Sequence, residues 1–226
     1  MNVSIIAAAG QGTRMAGSRP KQFLELAGIP ILFHTLKVFE RCDVIDQVIA
    51  VVPAEESAGF FDLSAKYGLT KLARIVEGGS TRAESVLKGL LAAPETTDIV
   101  VIHDGVRPFV TPDEITRTVK AASSEGAAIL VSQPVDTVKE VRAGKVIKTL
   151  NRNDLRNALT PQSFQYTLLR RAYEQVDVFD PSLTDESSIA ERAGMQIATV
   201  EGSARNIKIT TAADLILAEA MLNAEL

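Results

Sequence analysis

Tryptophan is absent from the 226-residue chain, aromatic residues make up 5%, and there are one cysteine and two histidines. Each shortage excludes something. A single thiol, Cys42, rules out an intrachain disulfide and any zinc site built from cysteines, leaving Cys42 as an inert core or surface thiol. His34 and His103 stand far apart, so no histidine pair is spaced to grip a metal. No apolar run approaches the 18 or so residues of a membrane span. The first residues lack a basic flank, an apolar segment and a small-residue cleavage site, so no export signal is read and cytoplasm is the default expectation. Basic excess is missing too: 24 Lys and Arg stand against 28 Asp and Glu, a net charge of -4. That balance argues against nonspecific nucleic-acid binding, which a basic stripe would drive. An anionic ligand would have to be held by a few local cations.

A chain of this length buries roughly 70 to 75% of the surface its unfolded form exposes, so it needs no staples. The simplest expectation is one domain spanning 1–226. Short β-branched stretches, "VSIIAAAG", "QVIAVVP", "ARIVEGG", "DIVVIHDG", "AAILVSQPV" and "MQIATVEG", alternate with helical patterns. Near-continuous apolar strands separated by helices imply an α/β fold, a mostly parallel twisted sheet covered on both faces. Helix starts are legible as well. Thr111, Pro112 and Glu114 form a capping box with proline at the first helical position, and Thr211 with Asp214 repeats the logic. From about residue 134 to 160 the alternation breaks into strand-like runs around the turn "RAGK". This segment is expected to be a protruding β-hairpin arm. An isolated hairpin is marginal in water, so a second copy of the chain is the simplest thing for it to pack on.

The first strand opens into "AAAGQGTRMAGSRPKQF". A dinucleotide fingerprint fails here, because Met15 occupies the third small position and the second strand ends in Val52-Pro53 rather than an acidic residue. A P-loop fails as well, since Ser18 and Arg19 follow Gly17 where Lys-Ser/Thr is required. What remains is a glycine turn carrying Arg14 and Lys21, with Pro20 fixing the backbone just before the lysine. Glycine-turn N–H groups cradle phosphate oxygens at the carboxyl edge of such a sheet. The same edge should collect Gly79, Ser80, Arg82 and Ser85 from "EGGSTRAESV", Asp104 and Arg107 from "HDGVRPF", and Lys208 from "NIKIT". Ser80 also has the chemistry of a helix cap. Several Arg and Lys side chains around one carboxylate suit a polyphosphate with a divalent cation.

The strings "AAAGxGxRM…PKQF", "GGxxRxxSV", "HDGVRPF", "DTVK", "ALTPQ", "TDE" and "NIKIT", in order along the chain, resemble the 2-C-methyl-D-erythritol 4-phosphate cytidylyltransferases of non-mevalonate isoprenoid biosynthesis. The resemblance implies a Rossmann-like fold. It also implies transfer of a cytidylyl group from CTP to the sugar-alcohol phosphate with release of pyrophosphate, Mg2+ as cofactor, and a homodimer whose arm reaches the neighbouring subunit. Residue by residue, it makes Arg14, Lys21, Arg152 and Lys208 catalytic. Ala8, Ala9, Gly10, Gly79, Ser85 and Asp104 would bind the nucleotide. Arg107, Thr137, Arg152, Thr160, Thr184 and Lys208 would bind the sugar phosphate, with Thr137 and Arg152 donated by the partner, and Asp104 would meet the metal mainly through the CTP phosphates. Departures are small: Arg19 precedes the proline, Gly105-Val106 replaces an Ala-Ala pair, and Arg205 has no assigned role. The competing reading is a ribitol 5-phosphate or other alditol phosphate cytidylyltransferase, which shares the loop, "TPQSF" and "NIKIT". A noncatalytic CTP-binding module would differ by releasing no pyrophosphate.

Overall fold

The computed structural model describes residues 1–10 and 20–224. In chain order the elements are β1 (Asn2–Ala7), a 3-10 turn (Lys21–Phe23), the short strands β2 (Glu25–Leu26) and β3 (Ile29–Pro30), α1 (Ile31–Glu40), β4 (Gln47–Val52), α2 (Ala54–Ser57), α3 (Phe60–Lys66), β5 (Leu72–Glu77) and α4 (Arg82–Ala92). There follow β6 (Ile99–Asp104), α5 (Pro112–Glu125), β7 (Ala127–Ser132), β8 (Lys139–Arg142), β9 (Lys145–Thr149), a second 3-10 turn (Arg152–Asp154), β10 (Asn157–Gln165), α6 (Tyr166–Tyr173), α7 (Glu186–Arg192), β11 (Ala198–Glu201) and α8 (Ala212–Asn223).

Seven strands form the main sheet in the order β11-β7-β10-β6-β1-β4-β5, all parallel except β10, which runs against both β6 and β7. The α/β reading of the sequence therefore holds. Apolar runs are continuous in the central strands because these are buried on both faces: in β1, Val3 and Ile5 pack with α4, α6 and α7, while Ile6 packs with α1, α3 and α5 on the other face. Phe33 of α1 stacks on Phe60 of α3 with ring centroids 5.3 Å apart, inside that second layer. Both predicted capping boxes are present: Thr111 accepts from the Glu114 N–H and Thr211 from the Asp214 N–H. At α4 the expectation moves by one residue. Thr81, not Ser80, is the N-cap, and Ser80 instead donates through its N–H and hydroxyl to the Glu84 carboxylate.

Two further differences concern strands. The arm is shorter than 134–160: its ladder is β8 with β9, while residues 157–160 already belong to β10 of the main sheet, with Leu159 and Thr160 buried. "NALTPQSFQ" did not read as a strand because proline cannot donate to a ladder, and the β10–β7 register shifts between Ala158 and Gln162, just around Pro161. The "NIKIT" segment, conversely, forms no strand; Ile209 N–H bonds the Val106 carbonyl and Ile209 packs beneath α8.

The chain places β4 and β5 on one side of β1 and returns to β6 on the other, so the strand order reverses at β1. At such a switch point the loops leaving adjacent strands diverge and open a crevice at the carboxyl edge. Ala7 of β1 lies in register with both Val51 and Asp104. The site must therefore be sought just beyond these three residues.

Candidate active site

A cavity of 520 Å³ opens there, and its lining includes Ala8, Gly10, Lys21, Gly79, Asp104 and Lys208. Three strand ends supply it. From β1 come Ala8, Ala9 and Gly10, and from β5 the Gly78–Thr81 loop. Gly78 has to be glycine, because a Cβ there would fall 2.1 Å from the Ala9 Cβ. The two loops touch at this point. Ser85 then shapes the β5 loop from inside α4: its hydroxyl accepts from the Gly79 N–H at 2.9 Å and donates to the Thr81 carbonyl at 2.8 Å. Gln22 fixes the β1 loop. Fully buried, its Nε2 donates to the carbonyls of Ala8 at 2.5 Å and Gly10 at 3.1 Å, so the residue beside Lys21 is bound to the loop that Lys21 faces.

Asp104, at the end of β6, organises the charges. Its Oδ2 receives Lys208 Nζ at 2.9 Å and Arg107 Nε at 3.2 Å, and its Oδ1 receives Arg82 Nη2 at 3.4 Å. Burial opposes ionisation of this carboxyl, but Arg82, Lys208 and Arg107 outweigh it and hold Asp104 well below the usual carboxylate range. Arg107 is pinned further by its Nη1 bond to the Asn206 carbonyl at 2.7 Å.

A hydrogen-bond chain of fixed direction lies beneath. The Asp104 N–H donates to Thr160 Oγ at 3.1 Å; His103 Nε2–H donates to the Arg107 carbonyl, an acceptor only, at 3.1 Å, which leaves Nδ1 of the neutral ring to accept from the Thr160 hydroxyl at 3.0 Å. His103 is therefore the neutral Nε2–H tautomer. Burial pushes its pKa down to about 4, against a partial upward pull from the Arg107 carbonyl. Thr160, which the sequence suggested as a substrate contact, is buried with its hydroxyl turned to these partners.

The remaining expected residues are spread out. Thr184 is exposed in the loop before α7. Thr137 and Arg152 are exposed on the arm segment, where Arg152 Nη1 donates to the Val135 carbonyl at 3.0 Å; neither contributes to the cavity lining. Arg14 lies outside the described residues. Sequence reasoning missed Gln22, His103 and Glu186. The strings "PKQF", "HDGVRPF" and "TDE" contained them, but nothing local announced their partners.

Among the described residues, then, Lys21, Arg82, Lys208 and Asp104 line a crevice together with glycines, and Arg107 and Glu186, both buried, are paired to Asp104 and Arg82 outside the lining. This defines the class: a Rossmann-like α/β nucleotidyltransferase, built to hold phosphates rather than a hydride carrier.

The comparisons specify it further. A family profile described as 2-C-methyl-D-erythritol 4-phosphate cytidylyltransferase matches residues 2–224. Proteins of that name from Syntrophus aciditrophicus (strain SB) and Geobacter metallireducens are 44% and 42% identical, covering 99% of this chain in each case and 96% and 98% of theirs. The crystal structure of 4-diphosphocytidyl-2C-methyl-D-erythritol synthase from Anaerococcus prevotii superposes with a TM-score of 0.86 at 33% identity, over 98% of both chains. The chain belongs to the 2-C-methyl-D-erythritol 4-phosphate cytidylyltransferase family.

Proposed function

We infer that this chain performs its family's reaction in the cavity between β1 and β6: transfer of a cytidylyl group from CTP to 2-C-methyl-D-erythritol 4-phosphate in isoprenoid biosynthesis. A phosphate oxygen of the acceptor attacks the α-phosphorus of CTP. The new P–O bond forms as the α–β bridging P–O bond breaks, and pyrophosphate leaves with the bridging oxygen. The acceptor phosphate is already ionised near neutral pH, so no protein base is required; positioning and charge stabilisation carry the step.

The obstacle is repulsion between two anions. At about 4 Å and an effective dielectric near 20, one pair of unit charges interacts by roughly 4 kcal/mol before desolvation, so several cations must share the work. The observation that carries the reading is the meeting of Lys21, Lys208 and Asp104 on one cavity at the sheet's switch point. In it Lys21, with Arg14, stabilises the five-coordinate α-phosphate and the departing pyrophosphate. Ala8, Ala9, Gly10, Gly79 and Ser85 surround the cytidine, where small residues let backbone groups approach the base edge. Lys208, together with Thr184, faces the acceptor phosphate, while Arg107, bound to Asp104 and the Asn206 carbonyl, and Thr160 keep the end of β6 in place beneath them. Arg152 and Thr137 complete the acceptor side from the arm of a second copy, making the working form a homodimer.

Magnesium fits the donors present in one way. Among the described residues, Asp104 is the single carboxylate of the lining, and its Oδ1 carries only the 3.4 Å contact. Among the described residues no cluster of three His, Cys, Asp or Glu could hold an ion alone. One carboxylate with substrate phosphates is a donor set Mg2+ accepts. Asp104 would hold the ion with the triphosphate, and the bound ion would supply further charge neutralisation.

The test is pyrophosphate release from CTP with each candidate acceptor. Turnover with the methylerythritol phosphate and little with ribitol 5-phosphate is expected; a preference for the ribitol ester would overturn the assignment.

A further inference from the structure

The first residues of α4 and α7 carry opposite charges that meet beside the cavity. Arg82 Nη1 donates to both oxygens of Glu186, at 2.8 and 2.9 Å, while Nη2 of the same guanidinium reaches Asp104 Oδ1 at 3.4 Å. Glu186 is fully buried and Arg82 is 27% exposed. The Tyr173 hydroxyl donates to Glu186 Oε1 at 3.4 Å, and Thr81, beside Arg82, donates to the Val178 carbonyl at 2.8 Å. The Gly78–Thr81 loop, the nucleotide side of the reading above, is thereby bound to the segment leading into α7, where Thr184 stands on the acceptor side.

Stability does not account for a carboxylate at this position. Replacing a buried ion pair with apolar side chains of similar volume is often neutral or stabilising, so a charge kept at position 186 points to another use. The guanidinium is shared. Glu186 occupies one of its nitrogens with two bonds, leaving a single long contact for Asp104, whose Oδ2 stays with Lys208 and Arg107. Without the Glu186 charge, Arg82 would turn to Asp104 and compete with Lys208 for it.

We propose that Arg82 and Glu186 are a positioning pair that sets the nucleotide half of the site against the acceptor half and keeps Asp104 oriented toward Lys208. This rests on the functional reading above. Glu186 is fully buried and outside the cavity lining, so loss of its charge should affect the transfer step more than the binding of CTP.

Glu186→Gln preserves volume and removes the charge. Expected are a kcat lower by about 10- to 10²-fold, the scale on which misplaced reactants lose rate, and a CTP Kd, measured without acceptor, that is unchanged or tighter because the region gains one positive charge. A folded variant with kcat within about twofold of wild type would overturn the proposal, taking twofold as well below the misplacement effect. Parallel falls of kcat, CTP affinity and Tm would also overturn it, as the mark of a merely structural residue. If the Gln chain does not fold, Glu186→Asp, which keeps the charge and withdraws the carboxylate by one methylene, is read by the same criteria. Wild type is assayed alongside: absence of pyrophosphate from wild type counts against the functional reading, and equal turnover by both chains counts against the pair.

Discussion

The cavity between β1 and β6 and the β8–β9 arm are built on opposite terms. Around the cavity the polar groups are tied to one another within the chain: Asp104 holds three cations, Gln22 ties the β1 loop, and His103 with Thr160 fixes the end of β6 to β10. The arm has a two-stranded ladder, with Val135, Val141, Val146 and Ile147 all more than half exposed. A preorganised site is assembled before substrate arrives and loses little freedom on binding. A two-stranded hairpin with apolar side chains outward is marginal by itself in water. On the proposed reading charge stabilisation resides in the first region, and the residues expected to complete the acceptor side, Thr137 and Arg152, ride on the arm, which a second subunit would order.

The comparison is broken most severely at Lys21. On the proposed reading Lys21 faces charge that develops in transfer, so Lys21→Ala should lower kcat by about 10² to 10³, the usual loss for a preorganised donor. Steady-state kinetics with saturating CTP checks this, and an unchanged kcat would remove Lys21 from the mechanism.

Next in size is the pH response of the first region. His103 has its folded pKa lowered to about 4 from 6.5, so between those values the unfolded chain binds a proton that the folded chain does not. Stability conferred by neutral His103 is complete above pH 6.5 and is lost as pH falls toward 4, amounting to about 3 kcal/mol at roughly 1.4 kcal/mol per unit. Asp104 acts separately: its pKa is depressed, so its contribution is lost only at pH values below the ordinary carboxylate range. Urea unfolding across pH 4 to 6.5 should show the His103 loss in wild type and a flatter curve in His103→Gln. Parallel curves would contradict the neutral, buried tautomer.

The smallest effect on folding belongs to the arm. Val146→Thr and Ile147→Thr should each change the unfolding free energy of the isolated chain by no more than about 0.5 kcal/mol, as exposed substitutions usually do. The same changes should weaken self-association, seen by sedimentation. A large loss of chain stability with unaltered association would mean the arm packs on its own subunit.

What could be read from the sequence followed the reach of each interaction. The helix starts at Thr111 and Thr211 were legible because a capping box spans four residues. Lys21, Gly79, Asp104 and Lys208 were legible as neighbours because strand ends of a parallel sheet share an edge. β10 was not, since an antiparallel strand inserted between β6 and β7 is specified by partners distant in sequence, and Pro161 disguised it locally. Glu186 meets Arg82 across 104 positions, and Thr160 meets His103 across 57. No spacing rule connects such pairs. Thr160 and Arg107 were read as groups for the substrate; the fold turns the Thr160 hydroxyl inward and engages Arg107 with Asp104 and Asn206, facts visible only after β6, β10 and residues 203–209 come together.

Subunit complementation tests the division of labour most directly. Lys21→Ala chains and Arg152→Ala chains, each weakly active alone, are mixed, allowed to exchange subunits, and assayed for pyrophosphate release. The account predicts that heterodimers regain activity, because one of their two sites combines an intact cavity with an intact arm. Confirmed heterodimers no more active than the parent variants would contradict it.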